Sequence, residues 1–394
     1  MATRTVKATP GALRRIRLGM VGGGEGAFIG AVHRMAARLD DHYELVAGAL
    51  ASSAAKAKRS GRALGLAEDR IYTDYAAMAS VESARADGIE VVSIVTPNHL
   101  HAPVATAFLK AGIHVICDKP VTTTLQDAKA LQALAAKRKL IFAVTHNYTG
   151  YPMVRHARQM VREGALGDIR VVQVEYPQDW LTDRLEATGQ KQADWRTDPK
   201  RSGAGGCIGD IGTHAYNLAD YITGLKVTEL CAELSTFVKG RQLDDNAQVL
   251  LRYANGARGA LWSSQVAPGN QNNLRIRVYG SKGGVDWQQE HPNQLHWSPF
   301  GEATQVISRA TNAANAAAAR VSRIPAGHPE GYLEGFATLY AEIAQAIRAA
   351  RKGGPKADKA AQFPTLVDGL KGVAFIEAAV RSSARGGRWV RLPR

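Results

Sequence analysis

Short apolar runs alternate with longer stretches of helical period over the first third of the chain. Residues 15–22 form an apolar run that ends in glycines, and 31–39 follow in a helical pattern. Residues 43–50 form a second apolar run, followed by an Ala/Lys-rich helical stretch over 53–64. The mostly β-branched run 91–95 precedes a helix over 103–111, and run 114–117 precedes a helix over 125–137. A further strand is expected at 140–145. Strands separated by helices of this length predict a parallel sheet built from βαβ units.

The rhythm changes near residue 149. A helix over 153–163 and a strand over 169–175 lead to a glycine-rich segment at 202–212, then helix to about 222. Strand-like runs at 229–238, 246–253, 257–266, 274–279 and 284–288 then follow one another with only turn signals between them. Consecutive strands predict a mostly antiparallel, open-faced sheet. Residues 302–319, rich in Ala and Asn, read as an irregular loop, and helices over 332–350 and 364–381 close the chain. The expected fold is α/β, with a parallel-sheet domain over 14–148 and an α+β domain over 149–394.

Composition narrows the function. The chain has 394 residues, 45% of them hydrophobic, enough for full-sized cores. Its net charge of +15 is dispersed and accompanied by no nucleic-acid-binding motif. The charge therefore favours anionic small ligands over a nucleic-acid partner. No apolar stretch is long enough to span a membrane, and residues 1–15 lack the apolar core of a secretory signal. The three cysteines, Cys117, Cys207 and Cys231, form no CxxC pair. A reducing cytoplasm is the expected compartment.

The sharpest local signal lies between the first strand and first helix, where Gly22, Glu25, Gly26, Phe28 and Ile29 belong to a glycine-rich run. Gly22, Gly24 and Ala27 fit the G-x-G-x-x-A form of a Rossmann fingerprint, which lets a pyrophosphate approach the backbone at a helix N-terminus. An acid near the end of the second strand would bind the ribose 2′-hydroxyl of NAD. No acid lies between Glu44 and Glu68; Ser52, Ser53 and Lys56 stand there instead. They suit a 2′-phosphate, so the cofactor is NAD or NADP with NADP favoured.

Three further stretches carry chemistry: Thr96-Pro97-Asn98-His99-Leu100-His101, Cys117-Asp118-Lys119-Pro120, and Gly205-Gly206-Cys207-Ile208-Gly209-Asp210-Ile211-Gly212-Thr213-His214. In this order they resemble the glucose–fructose oxidoreductase, inositol dehydrogenase and MocA (Gfo/Idh/MocA) family, over a span from Arg15 to the C-terminus. The resemblance implies that Lys119 is the active-site lysine and that Asp210 and His214 are the aspartate and histidine of the D-x-x-x-H motif. It also implies a nicotinamide-ribose contact at Thr96, Pro97, Asn98 and His101, and a homodimer or homotetramer. Asp118 stands where the family usually has Glu, and Asn217 where a second acid is common. His99, His101 and His214 lack metal-ligand spacing, so no metal is assigned.

Alcohol oxidation needs a group to take the hydroxyl proton and a cation to stabilise the developing alkoxide. His214 is expected as the base, Lys119 as oxygen polariser and relay partner, and Asp210 as the residue that orients imidazole or substrate. Lysine and histidine can exchange these roles, since a coupled pair shares its titration. Asp210 and His214, four apart, would share one face of a helix. Asn147 is expected at the cofactor, and Tyr148, Tyr176, Gln178, Trp195, Arg196 and His328 at the substrate. The expected activity is NAD(P)-dependent oxidation of a secondary hydroxyl of a cyclic polyol or sugar. A redox-neutral glycosidase or lyase that retains its cofactor, and a non-catalytic NAD(P) sensor, are the alternatives.

Overall fold

The computed structural model describes residues 14–351 and 362–393. Of residues 1–15, which lack the apolar core of a secretory signal, 1–13 lie outside the described residues. The first five strands are β1 (Ile16–Gly22), β2 (Tyr43–Ala49), β3 (Val91–Val95), β4 (His114–Cys117) and β5 (Phe142–Val144). They form an all-parallel sheet in the order β2-β1-β3-β4-β5. All five residues of β3 are buried, as expected for a central strand covered on both faces. Helices α1 (Phe28–Leu39), α2 (Ala54–Ala63), α3 (Tyr75–Ala84), α4 (His101–Lys110) and α5 (Leu125–Arg138) connect the strands. The α3 helix, capped where the Asp74 carboxylate accepts from the Ala77 N–H at 2.6 Å, had no counterpart in the sequence pattern.

Helix α6 (Pro152–Arg162) leads into a nine-stranded sheet. Its strands are β6 (Ile169–Pro177), β7 (Val227–Ser235), β8 (Asn246–Tyr253), β9 (Arg258–Ser264), β10 (Arg275–Gly280), β11 (Gly283–Gln288), β12 (Gln294–Pro299), β13 (Gln305–Ser308) and β14 (Val390–Arg391). The order is β13-β12-β11-β10-β6-β9-β8-β7-β14, antiparallel except where β6 pairs with β9. One face packs on α6 and on α9 (Thr213–Thr223), burying residues such as Val172, Val249, Leu261 and Ile276. Between β6 and α9 lie two short helices, α7 (Lys191–Arg196) and α8 (Pro199–Ser202).

The expected irregular loop over 302–319 is partly ordered instead. It holds β13 and the four-residue α10 (Ala316–Ala319). As an edge strand β13 pairs only with β12, and Ile307 is its one buried residue, so its sequence carries no alternation to read. The last helices, α11 (Tyr332–Arg351) and α12 (Leu366–Ser383), return to the first sheet. Phe336, Tyr340 and Ile343 of α11 pack with Ile16, Leu18 and Val91, so the end of the chain completes a core begun at its start. Among the described residues no helix is long and apolar enough to cross a membrane.

Candidate active site

A cleft of about 1220 Å³ runs between the carboxyl ends of the parallel strands and the second sheet. In an open α/β sheet a ligand lies beyond those carboxyl ends, where strand order reverses, here between β1 and β3. Three strands of the parallel sheet deliver lining residues just past their ends: Thr96 after β3, Asp118 and Lys119 after β4, and Asn147 after β5.

The glycine loop has the shape a dinucleotide needs. Gly22 and Gly23 have positive φ, 81° and 71°. A Cβ on Gly30 would meet the Gly23 Cα at 2.4 Å, so the close packing of α1 on β1 depends on Gly30. Helix α1 starts at Phe28 without a side-chain cap or an acid in its first turn. Its first N–H groups therefore lack helical acceptors and suit a phosphate. The N–H groups of Glu25 and Ala27 are engaged elsewhere, with Ser60 Oγ at 3.0 Å and Gly24 O at 3.0 Å. That leaves Phe28 and Ile29, at the uncapped start of α1, as the candidate anion donors of this loop. Gly22, Gly24, Glu25, Ala27, Phe28, Ile29, Ser52 and Lys56 line the cleft, whereas Gly26 and Ser53 do not. Ser53 instead caps α2, its hydroxyl accepting from the Lys56 N–H at 3.3 Å.

Nearer the second sheet, Thr96 Oγ1 and Asn147 Nδ2 are buried polar atoms without a hydrogen-bond partner among the described residues. Both residues line the cleft, as a nicotinamide ribose and carboxamide would require. Pro97, Asn98 and His101 line it too, but the Asn98 amide nitrogen and both His101 ring nitrogens are spent inside the protein. Asn98 Nδ2 donates to Ser202 O at 2.9 Å. The His101 ring lies between Pro120 O at 2.8 Å and Thr96 O at 3.0 Å, a strut that sets the spacing of two lining segments. Asp118 contacts His33 Nε2 at 3.2 Å and accepts from Thr145 Oγ1 at 2.5 Å. Burial opposes its ionisation, yet the adjoining His33 and the Thr145 hydroxyl hold it below the usual carboxylate range. His33 in turn meets Tyr340 Oη at 2.8 Å and Ser93 Oγ at 3.2 Å, a buried network that sequence reading missed.

Lys119, Asp210 and His214 converge at the inner end. Lys119 Nζ donates to the Asp210 carbonyl and to Asp210 Oδ1, the latter at 2.9 Å. The second carboxylate oxygen accepts from Arg196 Nε at 3.2 Å and Gln265 Nε2 at 2.9 Å. Burial alone would raise the Asp210 pKa, but the Lys119 and Arg196 charges hold the carboxyl well below its usual range. Asp210 sits on a π turn (Ile208–Gly212) that runs into α9, rather than sharing a regular α-helix with His214. Such turns recur at functional sites. The carboxylate is therefore committed to Lys119, Arg196 and Gln265, while His214 Nδ1 has no partner among the described residues. Asp210 orients the lysine rather than the imidazole.

Burial lowers the His214 pKa well below 6.5, helped by the Lys119 charge and the neighbouring His146 ring. His146, unpredicted from sequence, packs edge-on to His214 with ring centres 5.6 Å apart. Burial and then Lys119 push its pKa down to about 3. Tyr148 packs against His214 at 4.9 Å, and its hydroxyl meets Tyr176 Oη at 2.5 Å. Tyr176 Oη and Gln178 Nε2 both donate to Asn272 Oδ1 at 2.7 Å. Trp180 donates to Gln178 Oε1 at 3.1 Å, and Arg196 lies over the Trp195 ring at 4.2 Å. Aromatic faces interleaved with amide and hydroxyl groups suit a polyhydroxylated ring. His328, expected at the substrate, is exposed and outside the cleft. Its carbonyl accepts from Arg309, which fixes that loop instead. Among the described residues no three His, Cys, Asp or Glu side chains are placed to hold a metal ion.

Two family models match, an oxidoreductase family with an NAD-binding Rossmann fold at residues 16–146 and a Gfo/Idh/MocA C-terminal domain at 154–286. An uncharacterised oxidoreductase, YfiI, from Bacillus subtilis is 37% identical over 95% of this chain and 96% of its own length. The crystal structure of an oxidoreductase from Sinorhizobium meliloti is similar with 55% identity and a TM-score of 0.87, covering 96% of this chain and all of that one. An inositol dehydrogenase homologue from Azotobacter vinelandii, solved with NADH and myo-inositol, aligns with 37% identity, a TM-score of 0.90 and coverage of 96% and 98%. With its parallel NAD-binding sheet, its open nine-stranded sheet and these matches over nearly its whole length, the chain belongs to the Gfo/Idh/MocA family of oxidoreductases.

Proposed function

We propose that this protein is an NAD(P)-dependent dehydrogenase that oxidises a secondary hydroxyl of a cyclic polyol, with inositols first and aldose sugars second. The observation that carries the reading is the Lys119–Asp210–His214 group at the inner end of a cleft whose outer end is a glycine cradle. The cradle, the open N-terminus of α1, and the unpartnered Thr96 Oγ1 and Asn147 Nδ2 fit a nicotinamide dinucleotide. When bound, that cofactor supplies the carbon that accepts hydride.

The chain supplies the proton chemistry. Lys119 uses two of its three N–H donors on Asp210, which leaves one for the substrate oxygen. A fixed cation there stabilises negative charge developing on that oxygen. His214, held neutral by burial, takes the hydroxyl proton. Arg196, Gln178 and Tyr176 line the same cleft, which supports a role for them in holding the remaining hydroxyls. The homologue solved with myo-inositol supports the choice of substrate class. The absence of an acid between Glu44 and Glu68 favours NADP over NAD.

The test is reduction of NADP+ and NAD+ with a panel of inositols and aldoses, followed at 340 nm. At least one ring polyol should give steady turnover. Lys119→Ala and His214→Ala should each lower kcat/KM by about 10²–10⁴-fold. Unchanged rates in both variants, or aglycone release without net cofactor reduction, would overturn the reading.

A further inference from the structure

At the adenosine end of the cleft, β2 ends at Ala49 and the chain passes through Leu50-Ala51-Ser52-Ser53 into α2. In a dinucleotide fold the adenosine ribose lies here. Lys56, on the first turn of α2, lines the cleft. Lys191, the first residue of α7 in the segment between β6 and α9, lines the same cleft from outside the parallel-sheet domain. Neither ammonium makes an ion pair or hydrogen bond among the described residues.

Three carboxylates of the cleft and of α7 have other partners. Asp194 pairs with Arg201 at 2.7 Å, and Glu25 with Arg59 at 3.4 Å. Asp74, which lines the same part of the cleft, caps α3 at the Ala77 N–H. Gln190, beside Lys191, is also committed, its side-chain oxygen accepting from the Ala193 N–H at 2.6 Å. Burial lowers the Lys191 pKa, and the Lys56 charge lowers it further, so the two cations lie within electrostatic reach of each other. Two ammonium groups lining one cleft, neither with an ion pair among the described residues, repel each other, and an anion between them turns that repulsion into attraction twice over.

We propose that Lys56 and Lys191 close on the 2′-phosphate of NADP, which makes Lys191 a specificity-determining residue contributed from beyond the parallel sheet. This rests on the reading that the cleft holds a nicotinamide dinucleotide. Ser52 adds a hydroxyl to the same corner. A phosphomonoester carries close to two negative charges at neutral pH, one for each lysine. NADP binding would then tie α2 and α7 together at the end remote from the chemistry, and NAD would leave the lysines unbridged.

Isothermal titration of the full-length protein, without substrate, tests this with NADP+, NAD+, 2′,5′-ADP and 5′-ADP as probes. The unaltered protein should bind NADP+ at least tenfold tighter than NAD+, and 2′,5′-ADP tighter than 5′-ADP. Lys191→Gln should weaken NADP+ and 2′,5′-ADP by about tenfold, while NAD+ stays within twofold and serves as the control for folding. Lys191→Arg should keep most of the preference. Raising salt should weaken NADP+ more than NAD+, and Lys191→Gln should reduce that difference. Equal losses for NADP+ and NAD+ in Lys191→Gln would place the lysine on the pyrophosphate and overturn the proposal. So would equal or tighter NAD+ binding by the unaltered protein, or no effect of the substitution. Binding of neither dinucleotide would instead overturn the cofactor reading on which the proposal rests.

Discussion

His214 illustrates how a residue is set by its surroundings rather than by its type. Its ring is enclosed by Tyr148, Tyr176 and His146, with Lys119 nearby, and burial holds it neutral far below the ordinary histidine pKa. A base of this kind stays deprotonated below pH 6.5, so activity should persist at pH 5.5 instead of falling along an ordinary histidine limb. A kcat/KM profile with an acid limb near 6.5 would contradict that. Stability should show the reverse trend. The unfolded chain binds protons at His146 and at His114, whose pKa burial lowers to about 4, below pH 6.5, while the folded chain does not. Each therefore removes roughly 2 kcal/mol of stability between pH 6.5 and 5, at 1.36 kcal/mol per pH unit. Urea unfolding at the two pH values would measure the loss. At the same scale, Asp210→Asn removes the charge that holds Lys119 and should lower kcat/KM about 10²-fold through misplacement, with dinucleotide affinity little changed. Lys119, Asp210 and His214 were legible because each stands in a motif with a fixed spacing. His146 was not, since a single histidine after a strand end has no pattern until the fold turns its ring toward His214.

Among the elements, the π turn with its flanking segment depends on an anchor in the β7–β8 hairpin. Asp244 accepts from the Gly206 N–H at 2.6 Å and the Ile208 N–H at 2.8 Å, and its carbonyl accepts from the Cys207 N–H at 2.8 Å. A Cβ on Gly206 would meet that carbonyl at 2.2 Å, so the approach requires glycine. Burial pushes the Asp244 pKa up to about 6 despite the backbone donors that favour its charge. Asp244→Ala would leave two buried N–H groups without acceptors and should destabilise the protein by roughly 2–4 kcal/mol. Because Asp210 sits on this turn, kcat should fall as well, and an unchanged urea midpoint with unchanged kcat would refute the anchor. Nothing in the sequence distinguishes Asp244 from Asp245, whose carboxylate instead caps the Phe237 and Val238 N–H groups. Buried central strands such as β3 were readable from apolar runs, since water is excluded from both faces. The two-residue β14, the edge strand β13 and the π turn were not, because partner strands and side-chain anchors define them rather than local periodicity.

For the whole molecule, the two faces of the nine-stranded sheet are unequal. Its inner face carries the core under α6 and α9, while its outer face presents apolar residues amid ion pairs. Leu250 is 52% exposed, Tyr279 43% and Val171 38%. Val171 pairs directly with Tyr279 across β6 and β10. Around them, Arg275 pairs with Asp286 at 2.5 Å and Arg277 with Glu175 at 3.2 Å. A one-sided antiparallel sheet can be stable in water, but adjacent large apolar groups framed by charges are the surface chemistry of a protein contact. A second copy of the chain is the simplest occupant, because a face that meets its own symmetry mate closes without leaving an edge open. Light scattering after size exclusion should therefore give a dimer or tetramer mass. Leu250→Lys and Tyr279→Lys together should shift that mass toward the monomer while dinucleotide affinity remains, since both residues lie outside the cleft. A monomer mass for the unaltered protein at micromolar concentration would leave this face as solvated surface and remove the sheet from any role in assembly.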